Sequence, residues 1–153
     1  MDFDQWQEYF LSKFYHQDDE NPLKRTPKEV VPDAALYGMD GTMWGCTYEK
    51  EGDFYIDTDA LKVLMGGISG DEAIFSGFKC HEQKFVFIKS AKNPDDSIKW
   101  LYFKAPEDRG AFVWVSPGRE CFVFAYHAPG RENQANSSMM ISRFMRTMEK
   151  AGY

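Results

Sequence analysis

No apolar run in this 153-residue chain approaches the ~20 residues that cross a bilayer. The start, Met1-Asp2-Phe3-Asp4, is acidic where a signal peptide is basic, so a cytoplasmic protein without a transmembrane segment is expected. Cysteine is scarce. Cys46, Cys80 and Cys121 form no Cys-x-x-Cys pair, which argues against a disulfide framework or a zinc site and for structural, reduced thiols. Basic charge is in deficit, with 18 Lys and Arg against 24 Asp and Glu and a net charge of −6. Phosphate affinity needs a concentrated basic face, so no nucleic-acid partner is expected. Catalytic constellations are missing as well. His16, His81 and His127 share no metal-ligand spacing, no Ser, Cys and Asp arrangement is marked around them, and Gly66-Gly67-Ile68-Ser69-Gly70 lacks the Lys-Ser/Thr of a phosphate loop. The expectation is therefore a non-enzyme with no cofactor and no metal, with histidines at the surface or at strand ends. Asn136-Ser137-Ser138 fits a glycosylation acceptor, but without a secretory signal a helix cap is the better reading.

What the chain does have is hydrophobic residues at 43% and aromatic residues at 16%, enough for one domain with a real core and for rings outside it. In Ala34 to Cys46 two strand-like runs flank Asp40-Gly41, a hairpin signal, and the second run carries Trp44 beside Gly45, so part of the indole can stay open. Asp4 to Tyr15 reads as a helix with two faces to satisfy. Phe3, Phe10, Leu11 and Phe14 centre on one direction at 100° per residue, whereas Trp6 and Tyr9 centre roughly 110° away. Trp6 and Tyr9 are either a second core contact or a surface pair. His16 to Asp33 is a polar loop or insertion broken by Pro22, Pro27 and Pro32, and Thr26-Pro27-Lys28-Glu29 within it has the form of a capping box for one helical turn.

Further on, Asp57-Thr58-Asp59 can cap a short helix carrying Leu61, Leu64 and Met65, with Gly66-Gly67 ending it as a solvated turn. Period-two segments follow at Ala73 to Phe78, Lys84 to Ser90, Ile98 to Lys104, Ala111 to Ser116 and Cys121 to His127. Their short turn-forming links make an antiparallel meander. Ser137 to Ala151 is the last helix, with Ile141, Phe144, Met145 and Met148 on one face and Ser137 or Ser138 as its cap. Tyr153 at the end is either docked or exposed for a partner.

The order of these elements, with Trp6-x-x-Tyr9, Ala34-Ala35-Leu36 through Asp40-Gly41-Thr42-Met43-Trp44, Phe122-Val123-Phe124 before Pro129-Gly130, and the ending Ala151-Gly152-Tyr153, resembles the profilin family. The resemblance implies an α+β, profilin-like fold in one domain spanning 1–153, with residues 16–33 as a loop insertion. Its central antiparallel sheet has the N- and C-terminal helices packed together on one face. It also implies an actin-monomer-binding protein that regulates actin assembly and nucleotide exchange and binds proline-rich partners such as formins. The implied proline groove is Trp6, Tyr9, Trp44 and Tyr153, with Met148 nearby and Thr147 where many relatives have histidine. The implied actin face is Lys84, Val86, Ile88 and Lys89, then Lys104, then Ser138, Met139 and Arg143. Phosphoinositide binding would draw on Lys84, Lys89, Lys104, Arg143 and Arg146.

The residues read by themselves agree with the groove, because a stiff polyproline II segment packs on flat rings while losing little ordering entropy. Two rival readings stand beside it. One is a PAS-like small-molecule sensor with a ligand cavity in the curve of the sheet, and the other is a divergent profilin that keeps the proline groove with weak actin binding.

Overall fold

In the computed structural model, which describes residues 1–16, 23, 25–47, 56–80 and 82–153, a seven-stranded sheet forms the centre. Its strands are β1 (Asp33–Gly38), β2 (Met43–Cys46), β3 (Phe78–Cys80), β4 (Gln83–Lys92), β5 (Ile98–Ala105), β6 (Arg109–Val115) and β7 (Cys121–His127). They lie in the order β2-β1-β7-β6-β5-β4-β3 with every neighbour antiparallel. The helices are α1 (Phe3–Phe14), α2 (Pro27–Val30), α3 (Thr58–Ile68) and α4 (Arg131–Lys150).

Strand alternation builds two cores. Leu101, Phe103 and Ala105 of β5 join Phe122, Phe124 and Tyr126 of β7 and the apolar side of α3 on one face. Tyr102, Cys121, Val123 and Ala125 point the other way, where α1 and α4 cover them. The two terminal helices pack on each other through Phe144, whose ring lies 5.4 Å from Phe10 and 5.7 Å from Phe14. β7 is buried along its whole length because both of its faces are covered.

Local chemistry explains the elements and the departures from expectation. The hairpin turns through three residues, Met39 to Gly41. Gly38 exchanges backbone hydrogen bonds with Thr42 and Gly41, and only Gly41 takes a positive φ, of 87°. The buried stripe of α1 is Trp6, Phe10 and Phe14, at i, i+4 and i+8, while Phe3 stays half exposed. α2 is the one-turn helix anticipated after Thr26, with the Glu29 carboxylate accepting the Thr26 N–H. It is tied down where the Tyr15 hydroxyl donates to the Val31 carbonyl and the Ala128 N–H donates to that of Val30. The rest of the loop reading at 17–22 and 24 lies outside the described residues, as does His81.

Three boundaries are corrected. α3 runs through Gly66-Gly67 to Ile68 and is closed after its cap Ser69 by Gly70, whose φ of 97° supports a pair of bonds from Asp71 N–H to the Gly66 carbonyl and from Gly70 N–H to the Gly67 carbonyl. Gly67 is inside the helix because a β-carbon there would lie 2.7 Å from Ile74. The expected strand from Ala73 is a 3-10 turn, Glu72–Ser76, since the Asp71 carboxylate caps the Ala73 N–H and Gly77 breaks out at φ 75° into β3. α4 starts at Arg131, not at Ser137. Asn133 bonds the Pro129 carbonyl in its first turn, and Ser137 is buried in mid-helix donating to the Gln134 carbonyl, so it is no cap. The three cysteines are buried thiols.

Candidate functional site

Four aromatic side chains, from α1, β2 and the chain terminus, converge beside the α1–α4 pair. Trp6 stacks on Trp44 at 4.5 Å with an interplanar angle of 22°. Tyr9 meets Trp6 edge-on at 5.8 Å, and Tyr153 meets Trp6 at 5.0 Å and Trp44 at 5.9 Å, both edge-on. Both geometries are favoured by ring quadrupoles. Trp6 keeps only 5% of its surface exposed and is the ring on which the others lean, while Tyr9, Trp44 and Tyr153 are half-buried and offer the open faces. Met148 has no exposed surface, so it backs the cluster from beneath and presents nothing to a ligand. Burial, helped by the neighbouring Tyr153, pushes the Tyr9 phenol above its usual range, which keeps it a neutral O–H donor near neutral pH.

Glycines set these rings. A β-carbon at Gly38 would sit 2.8 Å from the Trp44 indole nitrogen, so the indole lies across the β1 backbone. Gly45, expected to leave the Trp44 ring open, serves α1 instead. A β-carbon there would lie 3.0 Å from the Gln7 amide oxygen and 3.3 Å from its Cα, and that same oxygen accepts the Cys46 N–H. At the other end Gly152, at φ 91°, lets the last turn close so that the Tyr153 N–H reaches the Met148 carbonyl. The Tyr153 carbonyl then accepts the Gly118 N–H at 2.8 Å, and a β-carbon at Gly118 would come 2.5 Å from that oxygen. The terminal ring is docked. Gly118→Val is therefore expected to displace Tyr153 and weaken proline binding about fivefold, one aromatic contact's worth, with stability little changed. A tryptophan-fluorescence titration with polyproline giving wild-type affinity would show that the docking is dispensable.

A second feature lies between β4, β5 and α4, a concavity of about 740 Å³ lined by Ile88, Lys89, Tyr102, Lys104, Arg131 and Ser138 among others. It unites four of the eight expected actin-face residues. A register shift between Phe87 and Lys89 lets two successive residues, Ile88 and Lys89, line it. Val86 pairs with Lys104 across the strands, and Val86 and Ile88 are each 50% exposed. Met139 is exposed on α4, and the Lys84 ammonium donates to the Ser76 carbonyl. Lys104 lies 2.8 Å from Asp108, whose carboxyl it holds below its usual range. Arg143 lies elsewhere, in the α1–α4 crevice, where its guanidinium donates to the His16 carbonyl. Arg146 faces a third crevice beside Trp114, so the five basic residues considered for lipid do not form one patch. Trp100 in the concavity was missed, although Trp100, Tyr102 and Lys104 alternate with the core positions of β5; Tyr102 and Phe112 are buried and form its floor.

Beneath the concavity is a histidine that is buried at a strand end. The His127 Nδ1–H donates to the Ala128 carbonyl, so Nε2 accepts the Tyr102 hydroxyl at 2.8 Å. Burial, with Lys104 adding to it, depresses the imidazole below its usual 6.5, and burial pushes the Tyr102 phenol up to about 12. A depressed histidine leaves the unfolded chain holding more protons, so stability falls as pH drops below 6.5 toward the folded value. The slope is at most about 1.4 kcal/mol per pH unit, one proton's worth. Urea unfolding across pH 4.5 to 7.5 should show this extra slope in wild type and lose it in His127→Gln; parallel curves would refute it.

The curled antiparallel sheet, the paired terminal helices and the converging rings define a small α+β binding module whose two termini build one aromatic surface. Within that class the chain belongs to the profilin family, whose profile matches residues 4–153. No match to a curated protein is found from sequence alone. Solved structures share the fold. Profilin II of Acanthamoeba castellanii superposes with a TM-score of 0.67 at 16% identity, covering 97% of this chain and 99% of that one. Mouse profilin IIa, in complex with a double repeat from the FH1 domain of mDia1, gives 0.55 at 19% identity over 80% of this chain and 89% of that one. A LokiProfilin2–rabbit actin complex gives 0.54 at 13% identity, covering 77% of this chain and 87% of that one. Family membership displaces the PAS-like sensor reading.

Proposed function

We propose that this protein binds monomeric actin, regulates actin assembly and nucleotide exchange, and binds proline-rich segments through Trp6, Tyr9, Trp44 and Tyr153. The observation that carries the proposal is the four-ring cluster. Trp44 stacks on Trp6, Tyr153 meets both edge-on, and Trp44 and Tyr153 stay half-buried, the kind of surface that the rings of a polyproline II helix pack against. The mouse relative in complex with an FH1 repeat supports a formin-type partner, and the LokiProfilin2 complex supports actin. No helix among the described residues is long and apolar enough to cross a membrane. The proposed place of action is the cytoplasm, at the cytoskeleton.

The proposed actin face is β4, Lys104 and the first turns of α4, where exposed Val86, Ile88 and Met139 supply apolar contact and Lys89 and Lys104 supply charge. A weaker actin interaction is favoured by one observation: Arg143 points to α1, leaving that face without its guanidinium. Two measurements test the whole. Polyproline should change the tryptophan fluorescence, and no change at millimolar peptide would sink the groove. Pyrene-actin assembly should be inhibited by wild type and roughly fivefold less by Lys89→Glu, the loss of about one ion pair plus a repulsion; equal inhibition would move the actin face elsewhere.

A further inference from the structure

The buried stripe of α1 runs on past the elements that cover it. At 100° per residue Trp6, Phe10 and Phe14 fall within an arc of ~80°, and Phe3 points into the same arc, ~60° round from Trp6. Yet Phe3 is 50% exposed and joins neither core cluster. The helix crosses β2, an edge strand of the sheet, where a β-carbon on Gly45 would meet Gln7 and Phe10, and Phe3 lies one turn before Gln7. Val86, Ile88 and Met139, also exposed, belong to the proposed actin face, and exposed Phe75 packs on Phe87 at 4.8 Å. Among the described residues Phe3 has no such ring contact.

We infer that Phe3 is a fifth ring of the aromatic surface, an end subsite that takes an aromatic side chain next to the prolines of a bound segment. The inference rests on the groove reading and adds to it which proline-rich segments bind best. Continuity with the cluster carries it. Phe3 and Trp6 are three residues apart on one helix, hence surface neighbours, and Trp6 touches each of the other three rings. The step from Trp6 to Phe3 is ~4.5 Å along the axis, against ~3.1 Å per residue of a polyproline II helix, so the added ring lies one to two residues further on. Such a segment is stiff over several residues and does not turn aside where the four rings end. Laid along α1, it brings one of its ends over Phe3. A ring at that end gains the edge-to-face contact that the cluster already makes three times. Phe3 also lies just ahead of residues 4–153, so it is not among the positions that place the chain in its family.

The test uses the full chain and five peptides: ten prolines alone, and ten prolines with one phenylalanine or one serine at the N-terminus or at the C-terminus. In tryptophan-fluorescence titrations one phenylalanine peptide should bind about fivefold more tightly than its serine counterpart, one ring contact's worth. Phe3→Ser should erase that gain while still binding the serine peptides, which shows the other four rings in place, and Phe3→Tyr should keep it. If ten prolines bind and neither phenylalanine peptide exceeds its serine control, the inference fails and the groove stands. A gain that persists in Phe3→Ser puts the contact elsewhere and overturns the inference too. Sedimentation velocity in which wild type pairs and Phe3→Ser does not would give the site to a second copy of this chain instead. If ten prolines do not bind, the groove fails and the inference falls with it.

Discussion

Trp6→Ala is expected to destabilise the protein by about 3–5 kcal/mol, the usual cost of deleting a large buried aromatic side chain, and to abolish proline binding in the same step. The two losses are linked through geometry. Trp6 is the one ring in contact with each of the other three, at 4.5, 5.0 and 5.8 Å. Without it, Trp44 loses its stacking partner and Tyr153 the nearer of its two edge contacts, so the proline surface loses its order even in molecules that stay folded. Trp44→Ala separates the two effects. That ring is half-buried, so its loss should cost less stability while removing a wall of the groove. Denaturant unfolding of both variants, with polyproline titrations of each, checks the ranking. A Trp6→Ala protein within 1 kcal/mol of wild type would mean that the other rings hold their places unaided.

That central place of Trp6 was only half legible. The off-stripe pair Trp6 and Tyr9 pointed to a second face of α1, yet periodicity could not tell which member would be buried, because the answer depends on Trp44 and Tyr153 arriving from far along the chain. The meander from β4 to β7 was readable because alternation and turn residues are local. So was the hairpin, by its Asp40-Gly41, although its turn proved one residue longer.

What local pattern could not supply was close approach. The space beside Gly38, Gly45, Gly67 and Gly118 is taken by another element, respectively the Trp44 indole, α1, Ile74 and the chain terminus, and the last three contacts depend on how elements dock. A glycine in a sequence signals a turn or a close contact with equal strength, which is why Gly66-Gly67 reads as a stop and folds as helix. The bulge that brings Ile88 and Lys89 together is invisible for a related reason. It is a mismatch between two strands, and neither strand alone records it. Arg143 sits on the actin-side helix in chain order, but a change of 140° around α4 between Ser138 and Arg143, at 100° per residue, carries it to the α1 side.

Gly110→Ala should be the second severe substitution, with a loss of roughly 3 kcal/mol combining overpacking and a broken buried hydrogen bond. Gly110 lies on β6 opposite Lys104 of β5 and His127 of β7. A β-carbon there would fall 2.5 Å from the Tyr102 hydroxyl and from the Phe103 carbonyl, and 2.7 Å from His127 Nε2. The methyl group and the Tyr102–His127 bond compete for one volume. Because Tyr102 also lines the concavity, its displacement should weaken actin binding more than proline binding in the folded fraction. Adding Tyr102→Phe to Gly110→Ala tests the mechanism, since it removes the crowded oxygen. Tyr102→Phe alone strands the Nε2 acceptor and should destabilise, but in the Gly110→Ala background that bond is already lost, so the double variant should be more stable than the sum of the two single losses. Additive losses would show that the methyl group acts through the Phe103 backbone and leaves the buried pair intact.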